Sequence, residues 1–263
     1  MKSITLAVTL LVAALSVVAP SVSQAATVTS GSFTMNLDRD ALAQLVFNPT
    51  GTPPTLYLEE FWGTSASASL TATQINTAGA ADLVPGTGEI PATGLVYDVA
   101  SSTVTNPSGR AIQPTLFTYD PGDLTGTATG QIGLGGVMRF LGNFPGIFVT
   151  GDYALKFDTT RVGNAAGGSG WYLLNNYGFP IPGWDLTDVT ATSDPLSLYL
   201  SGTLKWSPEV ASAFFASGDI GQPMGTFTFA SPAPVPLPAA VYLFGSGLLG
   251  LAGWVRRRRF AQR

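Results

Sequence analysis

Any chemistry done by this chain would fall to its carboxylates. Its 263 residues include no histidine and no cysteine, which removes Ser-His-Asp and Cys-His machinery, ordinary zinc sites and histidine-ligated haem. Nothing else in the sequence asks for a cofactor. Three acidic clusters remain. Asp38-Arg39-Asp40 reads first as cap and surface charge at a helix start, where acids are favoured, with a catalytic dyad as the alternative. Glu59 and Glu60 lie in an aromatic stretch at 55–62; neighbours on a regular strand point to opposite faces, so the two are not expected to serve one substrate as an acid/base pair. Either could pair with a distant aspartate. Tyr57 and Trp62 in the same stretch offer sugar contacts, with strand packing the plainer reading. Asp120-Pro121-Gly122-Asp123 is a turn, and Asp120 and Asp123 are candidate ligands for Ca²⁺, an ion that takes about six oxygens or more.

Strands are the elements available to carry these residues. Period-two alternation marks residues 27–37, with Phe33, Met35 and Leu37 on one face, and is cleanest at 151–158, where Tyr153, Leu155 and Phe157 oppose Asp152, Ala154, Lys156 and Asp158. Further strands are predicted at 55–62, 69–75, 94–100, 137–141, 169–176, 185–190, 196–206 and 225–229, with loops at 78–88 and 163–170. Two short helices are expected. One starts on Asp38 and runs over 39–47; the other starts on Ser207-Pro208-Glu209, runs to residue 216 with Val210, Phe214 and Ala213 as its inward set, and stops at Gly218. The five glycines between 126 and 136 lack the Lys-Ser/Thr ending and strand–helix setting of a phosphate loop, and are assigned to tight turns between strands. The fold class that follows is mainly β: a single antiparallel β-sandwich or jelly-roll-like domain over residues 26–230 with two short helices.

Both ends of the chain carry addresses. Met1-Lys2, an apolar run at 4–18 and Ser23-Gln24-Ala25 form a Sec-type signal peptide over 1–25, to be cut between Ala25 and Ala26. At the other end a proline-rich hinge at 231–236 precedes 19 uncharged residues, 237–255, enough to span about 30 Å of hydrocarbon as a helix. Arg256, Arg257, Arg258 and Arg259 follow, and cations at that position hold the 256–263 tail in the cytoplasm and everything before the span outside. Proline keeps the preceding backbone extended, the form a protease binds. An ordinary permanent anchor is the alternative to a processed tail.

The order Val235-Pro236-Leu237-Pro238-Ala239-Ala240, glycine-rich span, four arginines closely resembles the PEP-CTERM sorting signal of Gram-negative bacteria, in a variant with leucine at 237 where the name-giving motif has glutamate. The resemblance covers about residues 235–259. It implies a substrate of an exosortase, an inner-membrane enzyme with a cysteine nucleophile that cuts near the proline motif, and delivery to the cell surface or an exopolysaccharide-rich biofilm matrix. The strand pair at 151–158 and 169–176 is also vaguely similar to secreted PEP-CTERM domains of unassigned activity, without functional residues to carry over.

Once Lys2 and the five arginines beyond residue 255 are set aside, six basic side chains face sixteen acidic ones, a net charge of −10. A domain so acidic lacks the basic stripe that nucleic acid demands, stays soluble and attracts divalent cations. Without disulfides it must be stabilised by its core, which about 200 residues can supply. The expected function is that of an exported, non-enzymatic surface or matrix protein whose partners are the Sec translocon, an exosortase and exopolysaccharide. Two alternatives stand beside it: a carbohydrate-binding module using Trp62, Trp171 or Trp184, and a carboxylate-based polysaccharide hydrolase or lyase with two carboxyl groups about 5 to 10 Å apart. Trp206, beside a helix cap, is expected in the core.

Overall fold

Alternation sets the first elements of the computed structural model, which describes residues 25–46, 56–77, 89–142 and 147–231. The leader before Ala25, the whole 78–88 loop, the proline hinge beyond Ser231, the span at 237–255 and the arginine tail lie outside the described residues. Among the described residues no helix is long and apolar enough to cross a membrane. β1 (Ala26–Val28) and β2 (Ser32–Leu37) bury every second residue, as a half-buried strand must. Asp38 then caps α1 (Arg39–Gln44) by accepting from the amides of Asp40 and Ala41. α1 is shorter than expected, because Leu45 is already extended.

β3 (Tyr57–Trp62), α2 (Thr64–Ser67), α3 (Ala72–Thr77), β4 (Leu95–Asp98), β5 (Leu116–Tyr119) and α4 (Leu124–Thr127) follow. α3 replaces most of the strand predicted at 69–75. Thr71 Oγ1 accepts from the Gln74 amide while Gln74 Oε1 accepts from the Thr71 amide, a reciprocal capping box that commits the segment to helix. The second half is a run of hairpins: β6 (Thr129–Leu141), β7 (Phe148–Val162), β8 (Ser169–Asn175), β9 (Ile181–Asp194) and β10 (Ser197–Trp206). α5 (Pro208–Phe214) begins where expected, with Pro208 in the first turn and Ser207 Oγ accepting from the Val210 amide. It buries Val210 and Ala211, while Ala213 faces solvent. A 3₁₀ turn (Ser217–Asp219) and β11 (Pro223–Ser231) end the described chain.

The strands join one antiparallel sheet in the order β1-β5-β6-β7-β8-β9-β10-β11-β2-β4, with β3 on the far half of β6. The sheet curls on itself. Val99, just past β4, bridges Leu134 of β6, and the Ala100 amide donates to the Gly133 carbonyl at 2.8 Å. Where two stacked sheets were expected, the pairing therefore runs continuously. The reason lies in strands of 13 to 15 residues bent at bulges, between Leu134 and Val137 in β6 and opposite Gly202 in β9, since a bulge raises twist and turns the strand. Of the five glycines assigned to turns, Gly126 is in α4 and the other four sit inside β6. A Cβ on Gly133 would lie 1.7 Å from the Gln113 carbonyl oxygen, and Gly136 (φ +144°) lies under the Tyr97 ring. Close backbone approach requires them.

Inside the curl the core is aromatic and closely packed. Trp184 and Trp206 stack with centroids 3.6 Å apart, and Phe33 stacks on Phe227 at 5.2 Å; such pairs contribute about 0.5–1.5 kcal/mol beyond their burial. Tyr153 accepts from Trp184 Nε1 at 2.9 Å, and burial pushes its hydroxyl pKa well up.

Candidate functional site

The ionisable chemistry lies outside the curl, where loops and short helices pack on the sheet. Asp152 of β7 receives Arg110 Nε and Nη2, each at 2.5 Å, with neither side chain exposed. Arg110 Nη1 also donates to the carbonyls of Ser67 and Leu70, closing the end of α2. Arg139 of β6 repeats the scheme. It holds Glu59 at 2.5 and 2.9 Å, donates to the Ile75 carbonyl of α3 at 2.7 Å, and lies 5.1 Å from the Trp62 ring centroid. The third cluster centres on Arg161, which binds both oxygens of Asp185 (2.9 and 3.0 Å) and of Glu209 (2.6 and 3.0 Å) and covers Tyr172 at 4.7 Å. In each of these pairs the planar guanidinium meets both carboxylate oxygens at once. For Glu209, burial pushes the pKa up but the Arg161 hydrogen bonds outweigh it, leaving the carboxyl below its ordinary range.

Glu59 and Glu60 depart from the regular-strand argument. A bulge between Leu58 and Glu60 puts the pair against Arg139, and burial, then the neighbouring Glu59 charge, raise the Glu60 pKa. Glu59 is fully engaged by Arg139, so the two form an ion-pair anchor with one perturbed neighbour. Sequence signals for this were weak, because the partner is 80 residues away.

The remaining sequence-predicted residues are distributed as follows. Trp171 and Trp184, expected as glycan contacts, are 2% and 0% exposed, which corrects that expectation. They point inward with Leu173 and Leu186 and cannot meet a polymer. Tyr57 is buried too. Trp62 is half-buried beneath Arg139. Trp206 is in the core, as expected. Asp38 caps α1, and Asp40 meets Arg39 on the surface at 3.2 Å. Asp120 Oδ1 accepts from the Gly122 amide and Asp123 Oδ1 from the Gly126 amide. Both are local caps, and among the described residues no group of three acidic side chains is placed to share a metal ion. Ala25 is exposed and Ala26 buried in β1, paired with Tyr119. Val235 to Ala240 and Arg256 to Arg259 lie outside the described residues.

The concavities among the described residues include one of about 280 Å³ at Ala41, Leu45, Asp219 and Met224 and two larger ones. An apolar pocket of about 350 Å³ is walled by Phe148, Tyr177, Phe179, Ile181 and Phe214. Its polar floor is already engaged: Asn175 accepts from Thr150 Oγ1 and the Gly151 amide and donates to the carbonyls of Tyr177 and Phe179. A second, more polar groove of about 440 Å³ crosses β5 to β8, lined by Leu116, Gln131, Lys156, Phe157, Asp158 and Tyr172 around Gly130. Gln131 Nε2 is engaged here by Gln113 Oε1 and the Pro114 carbonyl, but the polar groups on β7 are not spent. Lys156 makes no hydrogen bond or ion pair among the described residues, and Asp158 has only Oδ1 committed, to Thr160. Those bonds hold Asp158 below the ordinary carboxylate range. This groove is the candidate binding site.

No protein-family model matches the chain, and no curated protein matches it in sequence.

Proposed function

We propose that this chain is an exported, non-enzymatic surface or extracellular-matrix protein, handled first by the Sec translocon and then by an exosortase, and associated with exopolysaccharide. The observation that carries the reading is the tripartite tail: Val235-Pro236-Leu237-Pro238-Ala239-Ala240, the apolar run to residue 255, and Arg256 to Arg259. Before processing, residues 237–255 span the inner membrane with the arginines inside. A non-enzymatic role is supported by the fate of the carboxylates, since Asp152, Asp185, Glu59 and Glu209 are bound to arginine and unsuited to proton transfer.

Mass spectrometry of the C-terminal peptide, from membrane and extracellular fractions of the native host, tests the reading. Extracellular protein is expected to end near Pro236 and to lack Arg256 to Arg259. Recovery of the span and arginines in every fraction would leave a permanently anchored periplasmic domain instead.

A further inference from the structure

From the groove across β5 to β8 we infer a binding site for a neutral oligosaccharide, with Lys156 and Asp158 as its central donor and acceptor. The register makes a row. Leu116 lies opposite Gln131, and Lys156 opposite Tyr172; Gln131 is one step past the Ile132–Leu155 pair and so faces Lys156. Four side chains on one face of successive strands, about 4.8 Å apart, extend roughly 14 Å, a spacing close to the ring repeat of a linear polysaccharide; Tyr172, 8% exposed with Arg161 over its ring, closes the row. Gly130 has no side chain to block the row, and Leu116, 61% exposed, gives it an apolar end.

The chemistry selects among ligands. Lys156 offers donors, Asp158 Oδ2 an acceptor, and the Tyr172 hydroxyl makes no hydrogen bond among the described residues, so hydroxyls that both give and accept are matched by the groove. Lys156 and Asp158 offset each other, and Arg161 beside them is already bound by Asp185 and Glu209, so the groove does not select an anion. An extended peptide would add to a free strand edge, whereas Lys156 lies on a strand paired on both sides. Nucleic acid is disfavoured by a domain of net charge −10. The inference rests on the proposed surface or matrix role only for where such a ligand is met.

Calorimetric titration of the full-length chain in detergent with cellohexaose, laminarihexaose and maltohexaose, and with hexagalacturonate as the anionic probe, tests it. At least one neutral hexasaccharide is expected to bind. Lys156→Ala and Asp158→Asn should each weaken it about tenfold or more, about 1.4 kcal/mol, with unchanged circular dichroism, while Trp62→Ala leaves it intact. The inference is overturned if no neutral hexasaccharide binds, if only hexagalacturonate binds, or if binding survives both groove variants. C-terminal mass spectrometry reports separately on sorting, so failure there leaves the titration result standing.

Discussion

Asp152 and Asp188 take the same left-handed backbone conformation, φ +47° and +52°, in two strands of one sheet, and share little else. Each sits at a bulge: Asp152 opposite Gly135-Gly136, and Asp188 where β9 passes Gly202. That region costs a side-chain-bearing residue about 1–2 kcal/mol, less for aspartate. Asp152 is fully buried and held by Arg110 and the Gly136 amide, so its conformation is fixed from several sides. Asp188 is exposed and, among the described residues, accepts only from the neighbouring Thr187 hydroxyl. One bulge is a joint on which a second layer is anchored; the other only bends the strand.

The largest effect should therefore come from Asp152→Gly. It relieves the backbone but leaves the Arg110 guanidinium buried without its carboxylate, a loss of about 3–5 kcal/mol in urea unfolding. Adding Arg110→Met should recover part of that loss, because it removes the stranded charge. A single variant within about 1 kcal/mol of the parent would break the comparison.

Arg161→Ala should cost less, roughly 2 kcal/mol, by the same measurement. It strands the fully buried Asp185, which keeps only Asn164 Nδ2 at 2.7 Å, but Glu209 is 42% exposed and rehydrates. Smaller again is the pH effect of Glu209. Its folded pKa is lowered, so its contribution is present above the unfolded value of about 4.3 and is lost as pH falls through the folded one. Glu209→Gln should flatten unfolding free energy against pH on the acid side of that value. Glu60 acts in the opposite sense: its pKa is raised by burial, so its charge opposes folding as pH climbs from the ordinary value to the folded one. Glu60→Gln should remove that decline. The same slope in either variant and the parent would show that these carboxyls do not govern acid stability.

What the sequence reveals here is mostly local. Asp38 and Ser207-Pro208 announce their helices because a cap is read within four residues, and alternation at 151–158 places Tyr153 and Leu155 inside. The Thr71-x-x-Gln74 box is equally local, but a strand reading of 69–75 passes over it. Trp171 shares a face with Leu173, and Trp184 with Leu186, so period two itself marks these tryptophans as core; only an expectation of exposed platforms points the other way. The bulge at Glu59 and its pairing with Arg139 are not local, and neither is the row from Leu116 to Tyr172. Both depend on register between strands, which the side-chain pattern of a single strand does not encode.

Asp188→Gly should have the smallest effect, and it isolates the backbone half of the comparison. Glycine takes φ near +52° without steric cost, which favours the folded state, but it adds freedom to the unfolded chain worth roughly 0.5–1 kcal/mol. The Thr187 hydrogen bond that disappears is at 3.2 Å beside an exposed side chain, where water replaces it. These terms nearly cancel, and the unfolding free energy should stay within about 1 kcal/mol of the parent. The same exchange at Asp152 makes the same backbone change. The difference between the two variants, measured in one denaturant series, therefore reports the buried side chain's interaction with Arg110 largely free of backbone strain. Equal losses at both positions would mean that the left-handed bend, and not the ion pair, sets the stability of these bulges.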